Sequence, residues 1–160
     1  MSIRVWPVLL VALSLSACFG NHGIGDRSGP EGAYTGLFTR VPESEKPLAK
    51  GKLHFRNADY GLAEENFRQA VEDDPENSEA WLGLAASYDR LKRFDLAERA
   101  YKIVIRQIGR TAEVLNNLGY HYYLKGDPAK ARAHFDAALA KDPGNPYVLN
   151  NMKKLDSSSS

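Results

Sequence analysis

Few side chains in this 160-residue chain are suited to covalent or acid–base chemistry: one thiol, Cys18, and four imidazoles, His22, His54, His121 and His134. A metal site or an acid–base pair needs such groups to converge, with a carboxylate to orient them. His121 and His134 sit in segments that read as the two facing helices of one pair, so they could approach each other. Spacing places no carboxylate beside them, and both are expected to be partly exposed helix histidines rather than metal ligands. Glu64-Glu65 and Asp73-Asp74 read as solvated charge on or at the end of a helix, with no partner carboxylate across a cleft. Ser28 and Ser157 to Ser160 have neither a nucleophile elbow nor a neighbouring base. No catalysis, cofactor, metal or small-molecule substrate is expected.

Cys18 is different, because its neighbourhood is specific. Met1 to Arg4 form a short basic start, and Val5 to Ala17 form an apolar run ending in small residues. That run is too short to span a bilayer comfortably, and Pro7 would interrupt a helix through it. The segment therefore reads as a secretory signal peptide over residues 1–17. Its end, Leu15-Ser16-Ala17-Cys18, resembles the lipobox of bacterial lipoproteins. The resemblance implies lipidation of the Cys18 sulfur, cleavage before it and acylation of the new amino group. More than one acyl chain, at about 0.8 kcal/mol per buried CH₂, would make a long-lived membrane anchor. Phe19 rather than an aspartate follows the cysteine, which by the same resemblance favours the outer membrane, facing the periplasm.

Residues 18–43 are rich in glycine and proline without apolar periodicity and read as a flexible tether. Tyr34, Leu37, Phe38 and Val41 are its one apolar cluster. The formal net charge is +1, giving no electrostatic case for nucleic acid as a partner.

What positions everything beyond the tether is a helix pair between Thr111 and Pro143. Leu115, Leu118, Gly119 and Tyr122 fall on one face of the first helix, and Ala131, Phe135, Ala138 and Leu139 on one face of the second. Asp127 is a good N-cap and Pro128 fits the first helical position. Moving back 34 residues places Trp81, Leu84, Ala85, Tyr88, Ala97, Tyr101, Val104 and Gly109 on the same template, with Gly109 standing where Pro143 does. A further 34 gives Pro47, Lys50, Gly51, His54, Ala63, Phe67, Ala70 and Pro75. This pattern is similar to the tetratricopeptide repeat (TPR). The resemblance predicts an all-α superhelix of three helix-turn-helix repeats, 44–77, 78–111 and 112–145. A capping helix over 146–156, with Leu149 and Met152 at core spacing, follows, and 157–160 read as a disordered tail. Helices are expected near 45–57, 60–73, 79–91, 94–108, 112–124, 128–141 and 147–155.

In that family the first helix of each pair lines a concave face. Carried over by repeat position, the groove would take Leu48, Lys52, Phe55 and Arg56 from the first repeat and Leu82, Ala86, Asp89 and Arg90 from the second. Asn116, Asn117, Tyr120 and Tyr123 come from the third, and Asn150, Asn151 and Lys154 from the cap. Aromatic rings offer rigid contact area, and asparagine amides can pair with the backbone of an extended peptide or partner helix.

With its lipobox, Val114-Leu115-Asn116-Asn117-Leu118-Gly119-Tyr120 and Lys141-Asp142-Pro143-Gly144-Asn145-Pro146-Tyr147, the chain resembles the TadD-type lipoproteins of tight-adherence (Flp) pilus assembly. The function this implies is a lipid-anchored adaptor helping a pilus secretin, or another pilus component, to assemble. A scaffold for peptidoglycan hydrolases is the alternative.

Overall fold

The computed structural model of the protein describes Pro42, Glu43 and residues 46–158. Cys18, the signal segment and all but the last two tether residues lie outside the described residues, as do the 34–41 apolar cluster, His22, Ser28 and residues 159–160. The described residues form seven helices: α1 (Pro47–Arg56), α2 (Tyr60–Asp73), α3 (Ser78–Arg90), α4 (Phe94–Ile108), α5 (Ala112–Leu124), α6 (Pro128–Lys141) and α7 (Pro146–Ser158). They pair as α1/α2, α3/α4 and α5/α6, with α7 packed on α5 and α6.

The three turns inside the pairs are built alike. Ala58, Lys92 and Gly126 stand at equivalent positions, each left-handed, with φ of 62°, 58° and 77°. The next N–H in each turn donates back across the helix end, from Asp59 to the His54 carbonyl, Arg93 to Tyr88 and Asp127 to Tyr122, at 2.8–2.9 Å. Only the third turn has the glycine that this geometry favours. The turns between pairs start the next helix with a side-chain cap. Asn77 Oδ1 accepts from the Ala80 N–H, Thr111 Oγ1 from Val114 and Asn145 Oδ1 from Val148. The Asp127 carboxylate likewise caps α6 through the Lys130 N–H, with Pro128 following it.

Each core layer is completed by the next repeat. Phe67, Ala63 and Ala70 of α2 pack with Ala80 and Leu84 of α3; Tyr101, Ala97 and Val104 of α4 pack with Val114 and Leu118 of α5; Phe135, Ala131 and Ala138 of α6 pack with Val148 and Leu155 of α7. Such a stack shares its core between neighbours, so no pair buries its apolar face alone. In the first and third pairs the close approach depends on glycine, whereas the second has Ala85 at that position. A Cβ on Gly119 would stand 2.5 Å from the Phe135 ring, and one on Gly51 2.8 Å from Phe67. The fully buried Phe135 ring contributes about 1.5–3 kcal/mol relative to an exposed one.

Two expectations need correction at the carboxy-terminal end. The cap buries Val148 and Leu155, with Met152 beside them, whereas Leu149 is exposed. The face that meets α6 therefore runs 148, 152, 155, one residue before the expected start. Ser157 and Ser158 are helical rather than a loose tail, their hydroxyls donating to the carbonyls of Lys154 and Leu155. No helix among the described residues is long and apolar enough to cross a membrane.

Candidate functional site: a groove across the inner helices

The inner helices α1, α3, α5 and α7 wall a cavity of about 800 Å³. Of the residues expected in a groove, Phe55, Ala86, Asp89, Arg90, Asn116, Asn117, Tyr120, Asn150, Asn151 and Lys154 line it. Lys52 and Arg56 instead edge a smaller pocket of about 200 Å³ that shares Phe55 and Ala86 with the large one. Leu82 and Tyr123 line neither. Leu82 is turned into the α3–α4–α5 core beside Val114 and Leu118. Tyr123 packs over the last core layer, its ring 5.7 Å from that of Tyr120. Leu48 packs on the first layer with Phe55.

Tyr101, Glu113, Asn145 and Tyr147 also line the cavity, beyond the residues that repeat position places there. Asn145 and Tyr147 belong to the last turn and the start of the cap, where transfer by repeat position places no groove residue. Tyr147 keeps 73% of its surface exposed, an unusual degree for an aromatic ring.

The asparagines divide by what they already hold. Asn151 Nδ2 donates to Asn116 Oδ1 at 3.0 Å, tying the cap to α5. Asn117 Nδ2 donates to its own helix, at the Glu113 carbonyl. Asn150 has no side-chain partner among the described residues, and the Lys154 ammonium has no ion pair among them. The Arg90 guanidinium lies 4.2 Å over the Tyr60 ring, a cation–π contact that holds it at the groove wall.

Asp89 corrects the expectation most instructively. It reaches the groove wall but is only 2% exposed. Its Oδ2 accepts from the Tyr101 hydroxyl at 2.8 Å, and its Oδ1 lies 2.5 Å from His121 Nδ1. An ionised carboxylate only accepts, so Nδ1 is the nitrogen carrying hydrogen toward it. His121 is fully buried rather than partly exposed, and carboxylates do stand beside it. Glu98 Oε1 lies 3.5 Å from Nε2 and 2.6 Å from Lys125 Nζ.

Burial, then the charge and hydrogen bond of Asp89, push the Tyr101 phenol well above its ordinary value, keeping it a neutral donor. The Lys125 hydrogen bond, outweighing a smaller burial effect, holds Glu98 below the ordinary carboxylate value. An aspartate orienting a histidine is also how a general base is built. Here the imidazole is enclosed edge-to-face by Phe94, Tyr101 and Tyr122 at 5.1–5.8 Å, so substrate has no approach to it. The network clasps the second repeat to the third.

His134 is half-buried and stacked on Tyr122, with ring centroids 5.2 Å apart. Burial, with the charges of Arg110 and His121, lowers its pKa. His54 lies 3.8 Å from Asp59 at the first turn. Among the described residues no group of three histidine, cysteine, aspartate or glutamate side chains is arranged to hold a metal ion.

Comparison with known proteins follows the same architecture. The family model for the tetratricopeptide repeat matches residues 48–110 and 87–146. RNA polymerase II-associated protein 3 of Rattus norvegicus is 26% identical over 117 residues, covering 71% of this chain and 18% of that protein. The chain thus spans under a fifth of the length of that relative. A thermophilic TPR protein of Thermus thermophilus superposes with a TM-score of 0.65 at 22% identity, over 74% of this chain and 66% of that one. The first TPR domain of Spaghetti (RPAP3), bound to an HSP90 peptide of sequence SRMEEVD, superposes with a TM-score of 0.59 at 22% identity, over 72% and 94%.

Proposed function

The chain belongs to the tetratricopeptide-repeat family, a family of protein-binding domains, and from that premise we propose that its groove holds an extended segment of a protein partner. The observation that carries this reading is the wall itself. Tyr120, Tyr147, Asn150 and Lys154 face one open cavity, combining rigid aromatic surface with amide and ammonium groups that can meet a peptide backbone. A related TPR domain holds a short peptide, which supports the mode of binding but not the identity of the ligand. The work is capture and positioning, with no covalent step.

We further propose that Cys18 carries lipid and fixes the domain at the outer membrane, on the periplasmic side. The captured segment then belongs to a secretin or another component of a tight-adherence pilus. This rests on the Leu15-Ser16-Ala17-Cys18 sequence and the motifs of the third repeat. Deleting the gene should abolish assembled secretin multimers and surface pili; normal multimers and pili in the deletion strain would refute the pilus role. Replacing Cys18→Ala should remove labelling by radioactive fatty acid and release the protein in soluble form, and persistent labelling would refute the anchor.

A further inference from the structure

The smaller pocket differs in chemistry from the rest of the groove. Its lining is Phe55, Phe67, Gly83 and Ala86, with Lys52 and Arg56 at the rim; no carboxylate lines it. The Phe67 ring forms the floor because Gly83 has no side chain; a Cβ there would overlap the ring edge. Thirty-four residues on, the same four positions hold Asp89, Tyr101, Asn117 and Tyr120, and a further 34 on they hold Tyr123, Phe135, Asn151 and Lys154. Larger or polar side chains stand where Gly83 and Ala86 leave space. The apolar hole therefore exists at one junction among the described repeats.

At about 200 Å³ it is of the size that accepts one benzene-sized group, as an apolar cavity of about 150 Å³ does. The two rim cations are unequal. Lys52 Nζ is 2.6 Å from Glu79 Oε1, whereas the Arg56 guanidinium has no partner among the described residues and is exposed. A planar guanidinium of that kind matches a carboxylate in bidentate fashion.

We propose that this pocket is an anchor subsite. It takes one large apolar side chain of an extended protein segment, such as phenylalanine, leucine or methionine, and the adjacent residue of that segment is acidic and meets Arg56. The proposal rests on the reading of the groove as a peptide site and adds the chemistry of the segment. The apolar group supplies binding energy by leaving water, and the contact of its neighbouring carboxylate with Arg56 fixes which way the segment runs.

The test is fluorescence anisotropy with the purified full-length chain in detergent. The probes are fluorescein-labelled Gly/Ser peptides carrying one Phe-Glu, Ala-Glu or Phe-Lys pair. The Phe-Glu peptide should bind at least ~10-fold more tightly than the Ala-Glu peptide, and the Phe-Lys peptide should also be weaker. Ala86→Leu, which fills the hole from an inner helix face, should weaken the Phe-Glu peptide by a similar factor. Should Ala86→Leu disturb folding by circular dichroism, Arg56→Glu at an exposed site serves instead. It should invert the preference, so that Phe-Lys binds better than Phe-Glu. Equal affinity for all three peptides, no binding of Phe-Glu at millimolar concentration, or an unchanged order in Arg56→Glu would overturn the proposal. Two further variants separate the groove from the subsite. If Tyr120→Ala or Asn150→Ala abolishes peptide binding while Ala86→Leu and Arg56→Glu do not, the groove stands and the anchor subsite falls. If none of the four affects it, both fall.

Discussion

The junction between the first and second repeats and the junction between the second and third use the same backbone positions for opposite chemistry. At the first, Phe55, Phe67, Gly83 and Ala86 leave an apolar hole opening on the groove. At the second, Asp89, Tyr101, Asn117 and Tyr120 line the larger cavity, and the Asp89 carboxylate turns inward to Tyr101 and His121. The repeat fixes where a side chain stands, whereas the side chain decides whether that point is a solvent-facing recess or a buried polar clasp. A phenylalanine at position 67 asks only for space, which glycines provide. A tyrosine at position 101 brings a hydroxyl into the core, and Asp89 must be there to receive it.

The largest expected break in this comparison is Asp89→Ala. It leaves His121 and the Tyr101 hydroxyl buried without their acceptor and should cost about 3–5 kcal/mol in urea denaturation. Asp89 and His121 should also fail to add in a double-mutant cycle, with a coupling of about 0.5–3 kcal/mol. Additive single effects would show that the clasp is not one unit. Next come the glycines under the rings. Gly83→Ala and Gly119→Ala must displace Phe67 and Phe135 and should each cost about 1–3 kcal/mol. Gly144→Ala, where a Cβ meets nothing within 4 Å, should stay within about 0.5 kcal/mol.

The turns sharpen the comparison on a smaller scale. Ala58→Gly and Lys92→Gly relieve left-handed strain and should each stabilise by up to about 1 kcal/mol, measured by the same denaturation. Gly126→Ala should lose a similar amount. Smallest is a pH effect at His134. Its folded-state pKa is lowered below 6.5 by burial first and by Arg110 and His121 next, so the unfolded chain takes up the proton first. Stability is therefore complete above pH 6.5, falls as pH drops through that value, and levels off once the folded imidazole protonates. His134→Gln should flatten the stability profile between about pH 7 and pH 5; an unchanged slope would assign it to other groups.

Much of this architecture is legible in the sequence, because a 34-residue period fixes small, aromatic and turn positions together. Helix limits fall within three residues of expectation, the largest difference being α7, which continues to Ser158. Repeat position puts Tyr120 and Asn150 on the inner helix face, and both line the cavity there. Transfer fails where burial comes from another repeat. Leu82 shares its repeat position with Asn116, yet Leu82 meets Val114 and Leu118 and becomes core, while Asn116 meets the Asn151 amide. His121 reads as half-exposed on its own helix, and its enclosure depends on Asp89, 32 residues earlier, and on Phe94 and Tyr101. Periodicity within one helix carries no record of such partners.

The central claim is that a protein segment occupies the groove. It is tested most directly by placing a photo-crosslinking amino acid, one position at a time, at Tyr147 in the groove and at Leu96 on an exposed part of α4 outside it. In living cells at native expression, Tyr147 should give a discrete protein adduct that Leu96 does not. Dominant adducts from Leu96, with none from Tyr147, would contradict the account.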